Sequence, residues 1–385
     1  MKKHLLLIIL ISTLCAAKAQ TTIVDSIISG GIYRSYRLYK PAIYSGTTAR
    51  PLIINMHGYT SNASDQQLYT NFKPIADTAN FLMVYPNGTY NSGQRYWNAG
   101  ISSSGVDDIG FISHLIDSLK LQFNINSNRI YATGMSNGGY MSNTLACELS
   151  TKITAIASVT GSMFTTQYGF YGSACHPTRP IPYMQVHGTA DPTVPYAGNT
   201  GSLPIDSVVK YWVRKNVCNT TPTFSNVPNT NTSDGCTAEH YIYNGGKLGS
   251  TVELYKIIGG QHTWPGAPIT IGVTNQDMNA SKEIWRFFNK YNLASLTGID
   301  ESSDNKLNFS IYPNPANSII NIDFLDVNNK PYHVKILNTI GQIMLEETTN
   351  SPSLMLQTEN LKSGIYLVTL TNADNFSVTK KIIKE

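Results

Sequence analysis

Ser136 stands in Gly134-Met135-Ser136-Asn137-Gly138, directly after the apolar run Arg129-Ile130-Tyr131-Ala132-Thr133 and directly before a helix-like stretch. A serine held on a sharp turn between strand and helix needs neighbours without side chains, so that the two elements can approach and Oγ can point outward. A strand that turns at once into a helix is the unit from which parallel sheets are built. The surrounding chain repeats that alternation. Apolar strand-like runs occur at 51–56, 81–85, 129–133, 153–159, 181–186 and 252–258, with helical patterns such as 109–121 and 139–149 between them. The alternation predicts an α/β fold, a mostly parallel sheet with helices on both faces. Residues 23–28 and 32–39, around Gly30-Gly31, read as an antiparallel hairpin at the sheet edge.

The two ends of the chain read differently. Lys2 and Lys3, an apolar stretch from Leu5 to Leu14, and Ala17-Lys18-Ala19 spell a secretory signal over 1–19. No later segment approaches the ~18 apolar residues of a membrane-spanning helix, so a soluble mature chain is expected. The main domain is then 20–292. Residues 293–306 carry Ser, Asp and Asn without apolar period and read as a linker. From 307 to 385 short alternating runs, punctuated by Asn338-Thr339-Ile340-Gly341 and Lys362-Ser363-Gly364, predict a small C-terminal β-sandwich.

Charge excludes one large class of partners. Charged residues are 14% of the 385 and the net charge is +4, with no Lys/Arg run, so nothing in the sequence supports nucleic-acid binding. If Cys15 leaves with the signal, Cys147, Cys175, Cys218 and Cys236 remain. In an exported chain an even count favours disulfides, and the three possible pairings stay open on spacing alone. No Cys or His cluster has metal-ligand spacing, so no metal and no cofactor is expected.

A serine hydroxyl attacks only when a base takes its proton, and that base needs a carboxylate to orient it. Asp191 follows the run 181–186 and His262 follows the run 252–258. Both lie just past the carboxyl ends of predicted strands, where open α/β sheets place their sites. Ser136, Asp191 and His262 also follow the Ser, acid, His chain order of the α/β-hydrolase fold. The backbone N–H of Asn137, next after the serine, and that of Tyr59, in the turn His57-Gly58-Tyr59, are the expected oxyanion donors. Thr60, Trp97 and Trp264 are candidates to line the substrate pocket. His57 and His187 each precede a glycine at a strand end and fit loop-ordering roles; Asp107-Asp108 opens a helix and fits a capping role.

Residues roughly 30–290 resemble secreted α/β-hydrolase esterases of the polyhydroxybutyrate-depolymerase-like, feruloyl-esterase and acetyl-xylan-esterase group. The resemblance rests on residues 131–139, on Leu145-Ala146-Cys147, on residues 187–196 and on residues 260–266. It implies nucleophile Ser136, acid Asp191, base His262, and disulfides Cys147–Cys175 and Cys218–Cys236. Gln261 departs from the group, which commonly has another glycine there. The tail resembles the C-terminal sorting domains of type IX secretion cargo, through Tyr312-Pro313-Asn314-Pro315-Ala316, residues 361–366 and residues 380–384. That implies passage by the secretion machinery and a secreted or cell-surface protein. The expected activity is serine esterase, feruloyl or acetyl xylan, on ester-bearing plant cell-wall polysaccharide through an acyl-enzyme. The alternatives are a polyhydroxyalkanoate (polyester) depolymerase and a catalytically silent surface adhesin on a hydrolase fold.

Overall fold

A computed structural model describes residues 20–99, 105–164, 175, 177–297, 309–324, 330–339, 341–373 and 377–385. The expected signal sequence 1–19 and residues 298–306 of the expected linker lie outside the described residues. The chain divides into two compact units, Met1–Asp300 and Glu301–Glu385.

The first unit is built on a ten-stranded sheet. Its strands are β1 (Thr21–Ser29), β2 (Ile32–Lys40), β3 (Arg50–Met56), β4 (Leu82–Pro86), β7 (Ile125–Met135), β8 (Ala155–Val159), β9 (Tyr183–Gly188), β10 (Thr223–Asn226), β11 (Thr237–Tyr243) and β12 (Val252–Ile258). They lie in the order β1-β2-β4-β3-β7-β8-β9-β12-β11-β10. The six strands from β4 to β12 run parallel, and antiparallel strands extend both edges. A separate two-stranded hairpin, β5 (Thr89–Asn91) and β6 (Gln94–Tyr96), follows β4. The hairpin β1–β2 is where the sequence expects it; β10–β11 at the opposite edge carries no comparable apolar signal.

Alternation along the strands divides the interior into two cores. Leu52, Ile54 and Met56 face one core, shared with helices α3 (Asp108–Gln122) and α4 (Asn137–Glu148) and with helix Ile205–Asn216. Ile53, Met83 and Tyr131 face the other, shared with helices α1 (Ala63–Thr70) and α2 (Lys73–Ala79) and with helix Ala280–Phe288. Strands buried on both faces explain why the central runs read as continuously apolar. Residues Leu293–Leu296, expected as linker, form a short helix, because Leu296 is buried in the second core.

The second unit is a sandwich of two antiparallel sheets. One pairs strands Phe309–Tyr312, Ile319–Phe324 and Ser353–Gln357; the other pairs Ile343–Thr349, Tyr332–Leu337, Gly364–Thr371 and Ser377–Lys384. Every second residue points inward, so Ile320, Ile322 and Phe324 meet Val334, Ile336 and Val368 in one core.

Cys147 and Cys175 form a disulfide. Cys218 and Cys236, expected from the resemblance to form a second one, are separate buried thiols. Cys218 Sγ lies 3.8 Å from the Ser250 carbonyl, before β12 begins, whereas Cys236 abuts Gly259, just after β12 ends. The seven residues of β12 hold them roughly 20 Å apart, far beyond disulfide reach.

Candidate active site

Parallel strands place their carboxyl ends on one rim, and the sequence candidates sit along it. Tyr59 follows β3, Ser136 follows β7, Asp191 follows β9 and His262 follows β12.

The turn at Ser136 has the conformation that its flanking glycines suggest. Ser136 has φ +56° and ψ −121°, a region costly for a residue with a side chain. Its N–H is anchored to the Val159 carbonyl at 2.9 Å. A Cβ on Gly138 would lie 2.2 Å from the Met56 carbonyl oxygen, and one on Gly134 would lie 2.5 Å from Gly138. Neither position tolerates a side chain, which is how strand and helix come close enough to strain the serine between them.

Asp191 and His262 are in direct contact. His262 Nδ1 lies 2.7 Å from Asp191 Oδ2. A carboxylate only accepts, so Nδ1 carries the proton and Nε2 keeps its lone pair. The other carboxylate oxygen accepts the N–H groups of Thr193 and Val194, at 2.8 and 2.9 Å. His187 Nε2 also stands 3.4 Å from Asp191 Oδ2. Burial alone would raise the Asp191 carboxyl, but the hydrogen bonds from His187 and His262 and from the Val194 amide outweigh it and hold the group below the usual carboxylate range. The loops of Asp191 and His262 are laced together: Ala190 N–H donates to Gly260 O at 3.0 Å, and Gly259 N–H to Thr189 Oγ1 at 2.9 Å. Gly188 is required here, since a Cβ would meet Gly260 O at 2.1 Å.

Ser136 and His262 line one cavity of about 430 Å³. Tyr59, Leu68, Tyr69, Met135, Ile269 and Ile271 form its mostly apolar wall, with Ser61, Asp65 and Gln66 among the polar members. Gly58 packs on the serine: a Cβ there would lie 3.4 Å from Ser136 Cβ. The turn that leads into Tyr59 therefore packs against the serine. Asn137 opens α4, and the first N–H groups of a helix have no intrahelical acceptor.

His57 holds that turn. Its Nε2 accepts the Gly88 N–H at 3.0 Å, which leaves the proton on Nδ1 to donate to the Gly58 carbonyl at 2.7 Å. Burial pushes the imidazole down to about 4 and keeps it neutral. Asp107 caps α3 through the Gly110 N–H at 2.7 Å. Asp108, 1% exposed, is paired with Arg34 at 2.5 Å.

Three expected pocket residues lie elsewhere. Trp97 is fully buried; its indole N–H donates to the His57 carbonyl at 3.0 Å, and its backbone is clasped by the Asn137 side chain at 2.6 and 3.0 Å. Trp264, 1% exposed, packs edge-on against Phe72 and donates to Ser281 Oγ at 3.0 Å. Both brace the candidate site's loops from behind, because adjacency in sequence to His262 or to a site loop does not decide which way an indole turns. Thr60, with φ +69°, donates its N–H to the Arg95 carbonyl at 2.8 Å and lines a neighbouring polar hollow instead. The wall residues from α1 and from the loop after Trp264 carry no motif, so sequence reasoning misses them. Gln261, the departure from the resemblance group, clamps that loop by its backbone N–H to Val273 O at 3.0 Å and its Oε1 to Val273 N–H at 3.1 Å. Among the described residues no group of three or more His, Cys, Asp or Glu side chains is placed to hold a metal ion, and no helix is long and apolar enough to cross a membrane.

Comparison with known proteins agrees with this architecture. Residues 40–205 match the phospholipase/carboxylesterase family, and residues 310–385 match the secretion system C-terminal sorting domain. The chain is 30% identical over 173 residues to a bifunctional acetylxylan esterase/xylanase of Neocallimastix patriciarum, covering 45% of this chain and 24% of that protein. It is 29% identical over 232 residues to feruloyl esterase B of Piromyces equi, covering 58% of this chain and 41% of that protein. The chain thus spans well under half the length of these two relatives. An acetyl xylan esterase from Aspergillus awamori shares the fold with a TM-score of 0.50 at 14% identity, over 69% of this chain and 99% of that one. The sorting domain marks the protein as extracellular or cell-surface. Residues 40–205 are thus similar to the phospholipase/carboxylesterase family within a unit of α/β-hydrolase fold, and residues 310–385 are similar to the secretion system C-terminal sorting domain.

Proposed function

We propose that this protein is a serine carboxylic-ester hydrolase acting on esters of plant cell-wall polysaccharide, with Ser136 as nucleophile, His262 as base and Asp191 as its orienting acid. The observation that carries the reading is the 2.7 Å His262–Asp191 pair together with the presence of Ser136 and His262 on the wall of one cavity. Ser136 Oγ attacks the ester carbonyl carbon while His262 Nε2 takes the hydroxyl proton. The negative charge that develops on the carbonyl oxygen is met by the N–H groups of Tyr59 and Asn137, each of which contributes about 3–4 kcal/mol to lowering the barrier. His262 then passes its proton to the departing alkoxide, leaving the acyl group on Ser136. Water, deprotonated by the same imidazole, releases the acid and restores the serine.

Among such esters we favour an aromatic acyl group of the feruloyl kind over acetyl. A mostly apolar cavity of about 430 Å³ is far larger than an acetyl group needs, and a ring would bury against Tyr59, Leu68 and Ile271. The same exposed apolar residues favour the second reading, a polyester depolymerase, since they would also seat an aliphatic polymer. Hydrolysis of methyl ferulate, acetylated xylan and polyhydroxybutyrate film separates these readings: ferulate is expected fastest, and release from the film alone would reverse the assignment. Ser136→Ala should lower p-nitrophenyl acetate turnover by about 10⁴-fold or more with the fold retained, and turnover near wild type would reject the mechanism. Labelling of Ser136 by a fluorophosphonate probe is expected; an unreactive protein would favour a silent adhesin.

A further inference from the structure

Beside the catalytic cavity lie two more hollows, of about 340 and 410 Å³, which share Ser35, Asn87, Tyr90 and Arg95. The smaller one also contains Ser61, which lines the catalytic cavity. The three depressions are therefore neighbours, set out from the catalytic cavity past Ser61 to the hairpin β5–β6. Their chemistry differs sharply. The catalytic cavity has mostly apolar walls, whereas the side hollows carry hydroxyl, amide and guanidinium groups.

Tyr90, 64% exposed as a residue, lines both hollows. It is nevertheless fixed in place. The Arg95 guanidinium lies 4.3 Å from the ring centroid and donates to the Tyr90 hydroxyl at 2.7 Å and to the Gly88 carbonyl at 2.9 Å. Such an aromatic platform, ordered before any ligand arrives, is suited to stacking against the C–H face of a sugar ring while neighbouring hydroxyl and amide groups meet its hydroxyls. Tyr33, 77% exposed, lines the farther hollow.

Charge narrows the ligand further. Arg37 and Arg95 both line the smaller hollow, and among the described residues neither has a carboxylate partner; Arg37 donates to the amide oxygen of Gln67 at 2.9 Å. The described lining of both hollows includes no Asp or Glu. Asp65 belongs to the catalytic cavity and accepts from Asn62 at 2.7 Å. Two guanidinium groups without counter-charge, beside a sugar-sized aromatic platform, suit a carboxylate carried on a sugar.

We propose that this groove binds the polysaccharide side of the ester, and that Arg37 and Arg95 select a chain bearing uronate groups. The inference rests on the esterase reading for its substrate, but the groove is described independently of the catalytic triad. The hairpin's ties to the site, Thr60 N–H to Arg95 O at 2.8 Å and Gly88 N–H to His57 Nε2 at 3.0 Å, place a bound chain directly beside the turn that carries Tyr59.

The test is calorimetric binding of the full chain bearing Ser136→Ala to uronate-substituted and to neutral xylo-oligosaccharides of equal length. The uronate-bearing ligand should bind about five- to tenfold more tightly, and the preference should shrink at high salt. Arg37→Gln should remove most of the preference and Arg37→Lys should retain it, while Tyr90→Ala should weaken both ligands alike. Equal binding of the two oligosaccharides, binding of neither, or a preference untouched by Arg37→Gln would overturn the assignment. Hydrolysis of p-nitrophenyl acetate by the wild-type protein is measured alongside. If it is absent, the esterase reading fails while the binding result stands; if it is present without uronate preference, only the groove assignment falls.

Discussion

The floor and the wall of the proposed catalytic cavity are built on opposite terms. On and beneath the floor, the turns of Ser136, Asp191 and His262 depend on glycines whose side chains would clash, and the Asp191 and His262 loops are tied to each other by hydrogen bonds. On the wall, Tyr59, Leu68, Ile269 and Ile271 are 53, 63, 47 and 53% exposed and make no comparable polar ties through their side chains. The difference separates two tasks. Chemistry depends on atoms held within tenths of an ångström, whereas acyl preference depends on how much apolar surface a ligand can cover. Floor substitutions should therefore act on kcat, and wall substitutions on KM for large acyl groups.

The largest effect expected from this contrast is at Asp191. Asp191→Asn replaces an acceptor-only carboxylate with an amide whose NH2 can turn to His262 Nδ1 and reverse its tautomer, and kcat on any ester should fall about 10⁴-fold. A loss confined to bulky esters would erase the distinction between floor and wall. His57 comes next, acting on the fold beneath the floor. Its imidazole is held near 4 when folded and near its ordinary ~6.5 when unfolded, so the unfolded chain binds the extra proton between those values. Stability is then intact above about pH 6.5 and declines as pH falls toward 4, by on the order of 3 kcal/mol. Urea unfolding at pH 7, 5.5 and 4 measures the slope, and a flat profile over that window would show that His57 is not buried neutral. The Asp191 carboxyl, held below the usual carboxylate range, adds its loss only as pH falls below about 4. The smallest effect belongs to the wall. Ile271→Ala should raise KM for methyl ferulate about three- to tenfold, the value of one partly exposed apolar contact. It should leave p-nitrophenyl acetate turnover near wild type, and an equal loss on both would move Ile271 to the floor.

The same contrast explains what can be read from the residues alone. The central strands are legible because burial on both faces writes them as unbroken apolar runs. The turn at Ser136 is legible because steric exclusion writes glycine into its flanks. Chain order and strand-end position make Asp191 and His262 candidates before any coordinate is seen. Side-chain direction is not written locally. Trp97 and Trp264 lie beside site loops in sequence, yet both turn inward, drawn by the His57 carbonyl and by Ser281. Leu68, Ile269 and Ile271 are single apolar residues in a helix and a loop, with neither period nor motif to announce that they share a cavity. The edge hairpin β10–β11 is obscure for a related reason, since β10 is exposed along its whole length and lacks an apolar pattern.

The two unpaired thiols have a consequence for how the chain matures. The four cysteines after Cys15 admit three pairings, but β12 separates Cys218 from Cys236, and burial pushes both thiols up to about 11, where they remain protonated and poor attackers of the Cys147–Cys175 bond. Once the sheet has closed, burial and protonation of Cys218 and Cys236 slow their exchange with that bond. Scrambling is concentrated in the interval before that closure, and sheet assembly itself acts as the proofreading step for oxidation.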